Sequence, residues 1–420
     1  MAKQTLSEKI LARSSGRSRV SAGEIITAQV NRAMMDDILG PKVVDKPFSE
    51  LNMPIWNTDR VVIICDHYAP SGTINQADIV AYTRKWAREH GIEHYFEGEG
   101  PCHQILAEKG FSLPNTLLLG TDSHTCTAGA FGCFGTGIGS TEMAGVLATG
   151  STWLRVPESI RITWNGTLQK GVMAKDIILK VIGDIGHAGA TYMVLEFGGG
   201  TISGLSMDER MCICNMAIEA GAKAGLIPAD EKTVQYLSDH GVAWNGTFLQ
   251  PDEDAEYVQI KNYTGEDLEP QIALPHNVDN VVGISEAPRQ AVQRAYIGSC
   301  TGGRLSDLAS AANILRGRKV CKDIKLLVSP ASQRIWKEAA SLGILQDLAE
   351  AGATILAPTC GACLGVHSGL VGEGEHCISS TNRNFKGRMG SKNSFVYLAS
   401  PMSVAASALE GRLADPRDYL

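Results

Sequence analysis

Short apolar runs that stop abruptly in polar residues recur along this chain, and a stretch with helical patterning follows each of them. Val61 through Cys65 gives way to Asp66 and His67, and Leu117 through Leu119 gives way to Gly120, Asp122, Ser123 and His124. Tyr296 and Ile297 lead into Gly298 and Cys300, Thr354 through Ala357 into Pro358 and Cys360, and Cys377 and Ile378 into Asn382 and Arg383. Runs of this length predict buried strands, and their alternation with helices predicts parallel or mixed sheets covered on their faces. In such sheets ligands collect outside the carboxyl ends of the strands. Polar clusters at these strand exits therefore predict one shared cleft in an α/β protein.

Two helix starts are marked. Thr5 with Glu8, and Ser206 with Glu209, are capping boxes. The first opens an apolar face at Ile10 and Leu11 that stops at Gly16. The basic, serine-rich stretch 12–19 would also suit an organelle leader, but the capping box favours a folded first helix. The second box opens a helix expected to run to about Ala224, with Asn215 and Glu219 on one face because they stand four apart. The segment from Pro270 to Asn280 lacks periodicity and reads as a linker, and a weaker break falls near Pro157.

Composition narrows the class. A chain of 420 residues suggests two or three domains, and 44 % hydrophobic with 20 % charged residues is ordinary for a globular protein. The net charge of −7 and the lack of a basic block disfavour a nucleic-acid partner. No apolar run is long enough for a bilayer, since the glycine-rich stretch 129–150 carries Glu142, so no membrane role is expected. Without a secretory segment the expected location is cytoplasmic. Eleven cysteines in that setting are expected to be reduced thiols or ligands, with Cys65, Cys133, Cys212 and Cys321 reading as core thiols.

The sharpest local signal is the pair Cys360 and Cys363, spaced CxxC, with Cys300 at another strand exit as a natural third member. A thioredoxin-like redox pair would want an aromatic residue ahead of the first cysteine, where Thr359 stands. A structural zinc needs a fourth ligand, for which His367 and Cys377 are candidates that spacing does not separate. An iron–sulfur cluster on three cysteines fits better, because soft thiolates suit it and three protein ligands leave one iron open to act as a Lewis acid. Arg383 and Arg388, with Gly387 between them, fit capture of a carboxylate, and Asn382 could donate to a sulfide or a substrate oxygen. Asp66, His67, His103, Asp122, His124 and Glu219 are acid–base candidates, since a carboxylate beside an imidazole fixes its tautomer. Each has a plain alternative as a packed histidine or a solvated glutamate.

Together these motifs resemble the aconitase superfamily, nearest the large subunits of 3-isopropylmalate isomerases and homoaconitases. The resemblance begins at Thr5 to Leu11 and passes through Asp66 and His67, Gly100 to Gln104, Gly120 to Thr125, and Leu205 to Glu219. It continues through Gly298 to Thr301, Pro358 to Cys363, and Thr381 to Arg388, and so covers nearly the whole chain. It implies three α/β/α domains, 1–158, 159–277 and 278–420, around a [4Fe–4S] cluster bound by Cys300, Cys360 and Cys363. It further implies that Arg383, Arg388 and Ser123 bind substrate, that Asn215 and Asn382 hydrogen-bond at the cluster, and that the six acid–base candidates are catalytic.

The implied activity is that of a hydro-lyase moving a hydroxyl between neighbouring carbons of a small polycarboxylic acid. The default substrate is 3-isopropylmalate in leucine biosynthesis; homoaconitate, methylmalate- or dimethylmalate-type acids, and a cluster-switched RNA-binding role, are the alternatives. In relatives a serine base and an arginine lie on a swivelling last domain. No matching Gly-Ser-Ser-Arg loop occurs here, so a small subunit carrying that domain is the expected partner. The chain departs from its relatives at Asp36, where His is frequent in a loop expected to approach substrate, at Gly302, where Asn is usual, and at Ala362, where Pro is usual.

Overall fold

The computed structural model describes residues 3–420, and contacts divide the chain into two compact units. The first comprises residues up to 97 together with 105–165 and 190–263; the second comprises 98–104, 166–189 and 264–420.

A five-stranded, fully parallel sheet organises the first unit. Its strands, in spatial order, are Tyr95–Glu97, Val61–Cys65, Arg32–Asp36, Leu117–Gly120 and Phe134–Gly137. The earliest strand is thus central, the next two lie to one side and the last two to the other. Val61–Cys65 is buried at every position, as a strand covered on both faces must be. The switch in winding direction falls between Arg32–Asp36 and Leu117–Gly120, where an α/β sheet opens a crevice at its carboxyl edge. A four-stranded sheet, ordered Ala224–Leu226, Val194–Gly198, Ser159–Asn165, Gln259–Thr264, and an antiparallel ribbon of Ile25–Gln29 with Ser151–Arg155 complete the sheets assigned to this part of the chain.

The first helix, Leu6–Ser14, carries the expected capping box of Thr5 and Glu8. Its N-terminus also meets a buried carboxylate: Glu196 accepts from the Leu6 N–H at 3.1 Å and the Ser7 N–H at 2.8 Å. Burial pushes that carboxyl up, and the helix N–H groups oppose the shift. The second capping box opens Met207–Asn215, a shorter helix than expected, which tightens into a 3₁₀ turn over Met216–Ala220.

The second unit repeats the same winding. Phe395–Ala399, His376–Ser379, Arg294–Ile297, Lys325–Val328 and Thr354–Ile355 are parallel, again with the earliest strand central. Gln271–Ala273 and Val281–Gly283 extend the sheet antiparallel beside Phe395–Ala399. The segment read as a linker thus contains a strand, too short for its three side chains to reveal a period. The switch point falls between Arg294–Ile297 and His376–Ser379. The helix Ala174–Ile185 packs against Gln271–Ala273, and the Asp176 carboxylate accepts the Gln271 N–H at 2.8 Å. No helix among the described residues is long and apolar enough to cross a membrane.

Candidate active site

In the second unit the three signalled thiols lie on two strand exits. Cys300 leaves Arg294–Ile297 through Ser299, whose φ of +73° is rare for a residue with a side chain. The Ser299 hydroxyl donates to Cys363 Sγ at 3.5 Å and lies 3.7 Å from Cys300 Sγ. Asn382, on the His376–Ser379 exit, brackets the same pair: its amide donates to Cys300 Sγ at 3.8 Å and its oxygen accepts from Cys363 at 3.4 Å. Cys363 lies in the single turn Gly361–Leu364, and Cys360 caps that turn, so the two thiols stand three residues apart. Cys300 and Cys363 are buried and Cys360 is half-buried. The buried Tyr296 phenol is pushed up by burial first and then by Cys363 and Cys360.

This donor set fits an iron–sulfur group: three soft ligands, two of them fixed by one hydroxyl and one amide, with the third nearer the surface. Of the alternative fourth ligands, Cys377 sits within a buried strand with its thiol pushed up to about 12 by burial, as befits a core thiol. His367 Nδ1 contacts the Ser368 hydroxyl at 2.8 Å.

The loop after His376–Ser379 is held from below. Lys175, 1 % exposed, donates to the carbonyls of Ser380 and Thr381 at 2.9 Å each, so a buried ammonium fixes the backbone that presents Asn382 and Arg383. Asn384 donates to the Leu274 carbonyl at 2.9 Å, and Arg383 and Arg388 are left half-buried. Gly302 is explained here. A Cβ at that position would run into the Ser380 side chain and lie 2.8 Å from the Ser380 carbonyl oxygen. Gly302→Ala should therefore lower the thermal unfolding midpoint, at an overpacking cost of about 1–3 kcal/mol. Calorimetry of the purified chain checks this, and an unchanged midpoint would show that the loop yields freely.

His103 also belongs to the second unit. It is buried, with ring nitrogens 3.6 and 3.7 Å from Cys102 Sγ. Its neighbour Gln104 accepts from Arg304 Nε at 3.0 Å, and Arg304 is fully buried at the start of the helix that follows Cys300. Gly100 lets this loop approach: at φ +139° it lies where a Cβ would be 2.8 Å from Ser332 Cα.

In the first unit the acid–base candidates meet at the winding switch. His67 Nδ1 lies 2.8 Å from Asp66 and 3.3 Å from Asp37, and its Nε2 lies 4.0 Å from Asp122. Asp37 also accepts the backbone N–H groups of His67 and Tyr68 at 3.1 and 2.7 Å. Burial opposes charge on the His67 ring, but Asp66, Asp37 and Asp36 outweigh it and hold the imidazole well above its ordinary value. Burial likewise works to raise Asp37, yet His67 and the two backbone donors bring it below the usual carboxylate range.

A second dyad stands on the neighbouring exit. Asp122 caps the 3₁₀ turn Ser123–Phe131 by accepting the His124 N–H at 2.7 Å, and His124 Nε2 lies 2.8 Å from Glu219 Oε1. Asn215 donates to the Thr127 hydroxyl at 2.8 Å, so Asn215 and Glu219 both reach this one turn. Ser123 is half-buried at its start. The arrangement can shuttle a proton between imidazole and carboxylate in a water-poor setting.

The sequence patterns do not single out Thr121, Ser299, Lys175 or Arg304, and Asp37 stands out only as the neighbour of Asp36. One signal was available: Ala33 through Met35 is another apolar run stopping in acids, Asp36 and Asp37. Asp36, expected in a loop that approaches substrate, is the last residue of a strand and is 1 % exposed.

Comparison with known proteins gives the family. The model of the aconitase family (aconitate hydratase) matches residues 8–411. The 3-isopropylmalate dehydratase large subunit 1 of Methanopyrus kandleri is 47 % identical over 99 % of this chain and 100 % of its own. A probable methanogen homoaconitase large subunit of Methanosarcina mazei is 48 % identical over 93 % of this chain and 99 % of its own. Among solved structures, the Thermococcus kodakaraensis aconitase X holo-form shares the fold alone, with a TM-score of 0.50 at 11 % identity, covering 86 % of this chain and 85 % of that one. With motif order, sheet winding and near-full-length identity in accord, the chain belongs to the aconitase family.

Proposed function

We infer that this chain is the large subunit of a hydro-lyase that isomerises a 2-hydroxy polycarboxylic acid, with 3-isopropylmalate as its substrate in leucine biosynthesis. The observation that carries the reading is the set of three thiols, two of them bracketed by Ser299 and Asn382, in a chain 47 % identical to a 3-isopropylmalate dehydratase large subunit. Cys300, Cys360 and Cys363 would hold a [4Fe–4S] cluster. When bound, such a cluster supplies a Lewis acid that makes a hydroxyl a better leaving group.

The remaining work falls to side chains. Arg383 and Arg388, half-buried on a loop anchored by Lys175, grip substrate carboxylate through paired N–H donors, and Ser123 is a substrate-binding hydroxyl of the first unit. Asn382 keeps the thiols in register, and Asn215 supports the turn that carries His124. His67, kept as imidazolium by its carboxylates, gives a proton to the departing hydroxide and recovers it on rehydration. Asp122, His124 and Glu219 relay protons on the neighbouring exit, and His103 is a further donor. The base that removes the carbon-bound proton, and a second carboxylate-binding arginine, come from a small subunit carrying the swivelling domain. Three α/β domains, one per large sheet, and a cytoplasmic setting complete the reading.

The test is anaerobic reconstitution with iron, sulfide and the small subunit, then assay of alkene-acid absorbance across 3-isopropylmalate, homocitrate and methyl- and dimethylmalates. Turnover of 3-isopropylmalate should lead the panel by about tenfold or more, the scale set by an alkyl pocket, and the large subunit alone should show little activity. The 48 % identity to a homoaconitase large subunit favours the homocitrate series as the second reading. Failure with the whole panel would remove the hydro-lyase assignment.

A further inference from the structure

Asp36 ends the central strand of the first sheet, beside the point where the winding reverses. Its Oδ1 accepts the Ile38 and Leu39 N–H groups at 2.7 Å each, closing the turn that follows the strand. Its Oδ2 accepts from the Thr121 hydroxyl at 2.5 Å, and Thr121 Oγ1 in turn accepts the Asp36 N–H at 3.1 Å. One side chain therefore ties the exit of Arg32–Asp36 to the exit of Leu117–Gly120, 85 residues away. Asp36, Asp37 and His67 are all buried, and each brings a charged or ring atom within 4.8 Å of the others.

We propose that Asp36 is a positioning residue, whose carboxylate locks two strand exits together and keeps His67 in the imidazolium form ready to donate a proton. The groups facing His67 within this unit are Asp36 and Asp37 from one exit, Asp66 from its own and Asp122 from the third. Cys65, which ends the His67 strand, stays a neutral thiol because burial and these acids push it up. Both Asp36 oxygens are engaged, one by the backbone of its own turn and the other by Thr121. What reaches beyond that network is its negative charge, in a setting where water does not screen it.

The sign follows from the geometry. Burial above all, with Asp122, leaves the Asp36 carboxyl raised, while His67 and the donors from Thr121 and Leu39 oppose that shift, so Asp36 and His67 favour each other's charged forms. His67 is raised, so its ionic support is complete at acid pH and is lost as pH climbs through its elevated value. Without the Asp36 charge that loss comes at lower pH. The charge state stands on these contacts alone, and only its use as a proton donor rests on the hydro-lyase reading.

The experiment is histidine-selective NMR titration of the full chain, with the His67 resonance assigned from its absence in H67Q. In D36N, which keeps an oxygen for the Ile38 and Leu39 donors, the His67 midpoint should fall by about one pH unit or more. T121V, which removes the cross-exit hydrogen bond but not the charge, and D36E, which keeps the charge, should leave it within a few tenths of the original. In reconstituted enzyme the basic limb of kcat should move down by the same interval in D36N. A folded D36N with an unmoved midpoint overturns the proposal, as does an equal fall in T121V; if D36N does not fold, a fall in D36E overturns it. A midpoint that moves as expected in a protein without hydro-lyase activity would uphold the charge assignment and remove only the donor role.

Discussion

Cys363→Ser is expected to cost the protein its iron–sulfur absorbance and about 10³-fold or more in turnover. A Lewis acid at the leaving oxygen contributes several kcal/mol, and each 1.36 kcal/mol is tenfold in rate. The serine would fill nearly the same volume between Ser299 and Asn382, so folding should survive. A harder oxygen would replace a soft donor. Cys377→Ser is the control, because that thiol lies within a buried strand of the same sheet and is kept neutral by burial. Iron and sulfide analysis after anaerobic reconstitution separates the two. Equal iron content in both variants would dissociate Cys363 from the metal and leave the three-thiol arrangement without its assigned purpose.

Glu219→Gln carries the second large effect. Glu219 is 4 % exposed and meets His124 Nε2 at 2.8 Å. The amide keeps the shape and one acceptor but can neither hold nor release a proton. A general acid–base group contributes about 10²–10⁴-fold, so kcat should fall by about that factor while KM changes little. The pH profile should lose one limb, a signature that a merely structural role would not produce. Wild-type turnover in a well-folded Glu219→Gln protein would place the dyad outside the proton path.

Much of this was legible because it is local. Val61–Cys65 reads as a buried strand from five consecutive apolar residues, and Thr5 and Ser206 announce their helices through carboxylates three residues on. The thiol and arginine loops stand out because Cys, Gly and Arg cluster where an apolar run stops. What stayed hidden is non-local. Nothing near Asp36 in the chain announces Thr121, and nothing near Lys175 announces the carbonyls of Ser380 and Thr381 some 205 residues later. Those partners are chosen by strand order, which hydrophobic periodicity does not encode. The helix after Ser206 reads longer than it is because its apolar content continues to Ala224, although the backbone tightens after Asn215 where Glu219 turns toward His124. The strand Gln271–Ala273 is too short to carry an alternation of its own.

The same winding occurs twice in this chain, one crest furnished with carboxylates and imidazoles and the other with sulfur. Air and alkali therefore attack different halves of the molecule. Of the three signalled thiols Cys360 alone is only half covered and so is the one dissolved oxygen reaches most readily, while the carboxylates and imidazole around His67 offer it little to oxidise. A sample that loses iron to air is expected to keep its carboxylate–imidazole crest intact, so restoration by iron, sulfide and reductant should serve better than refolding.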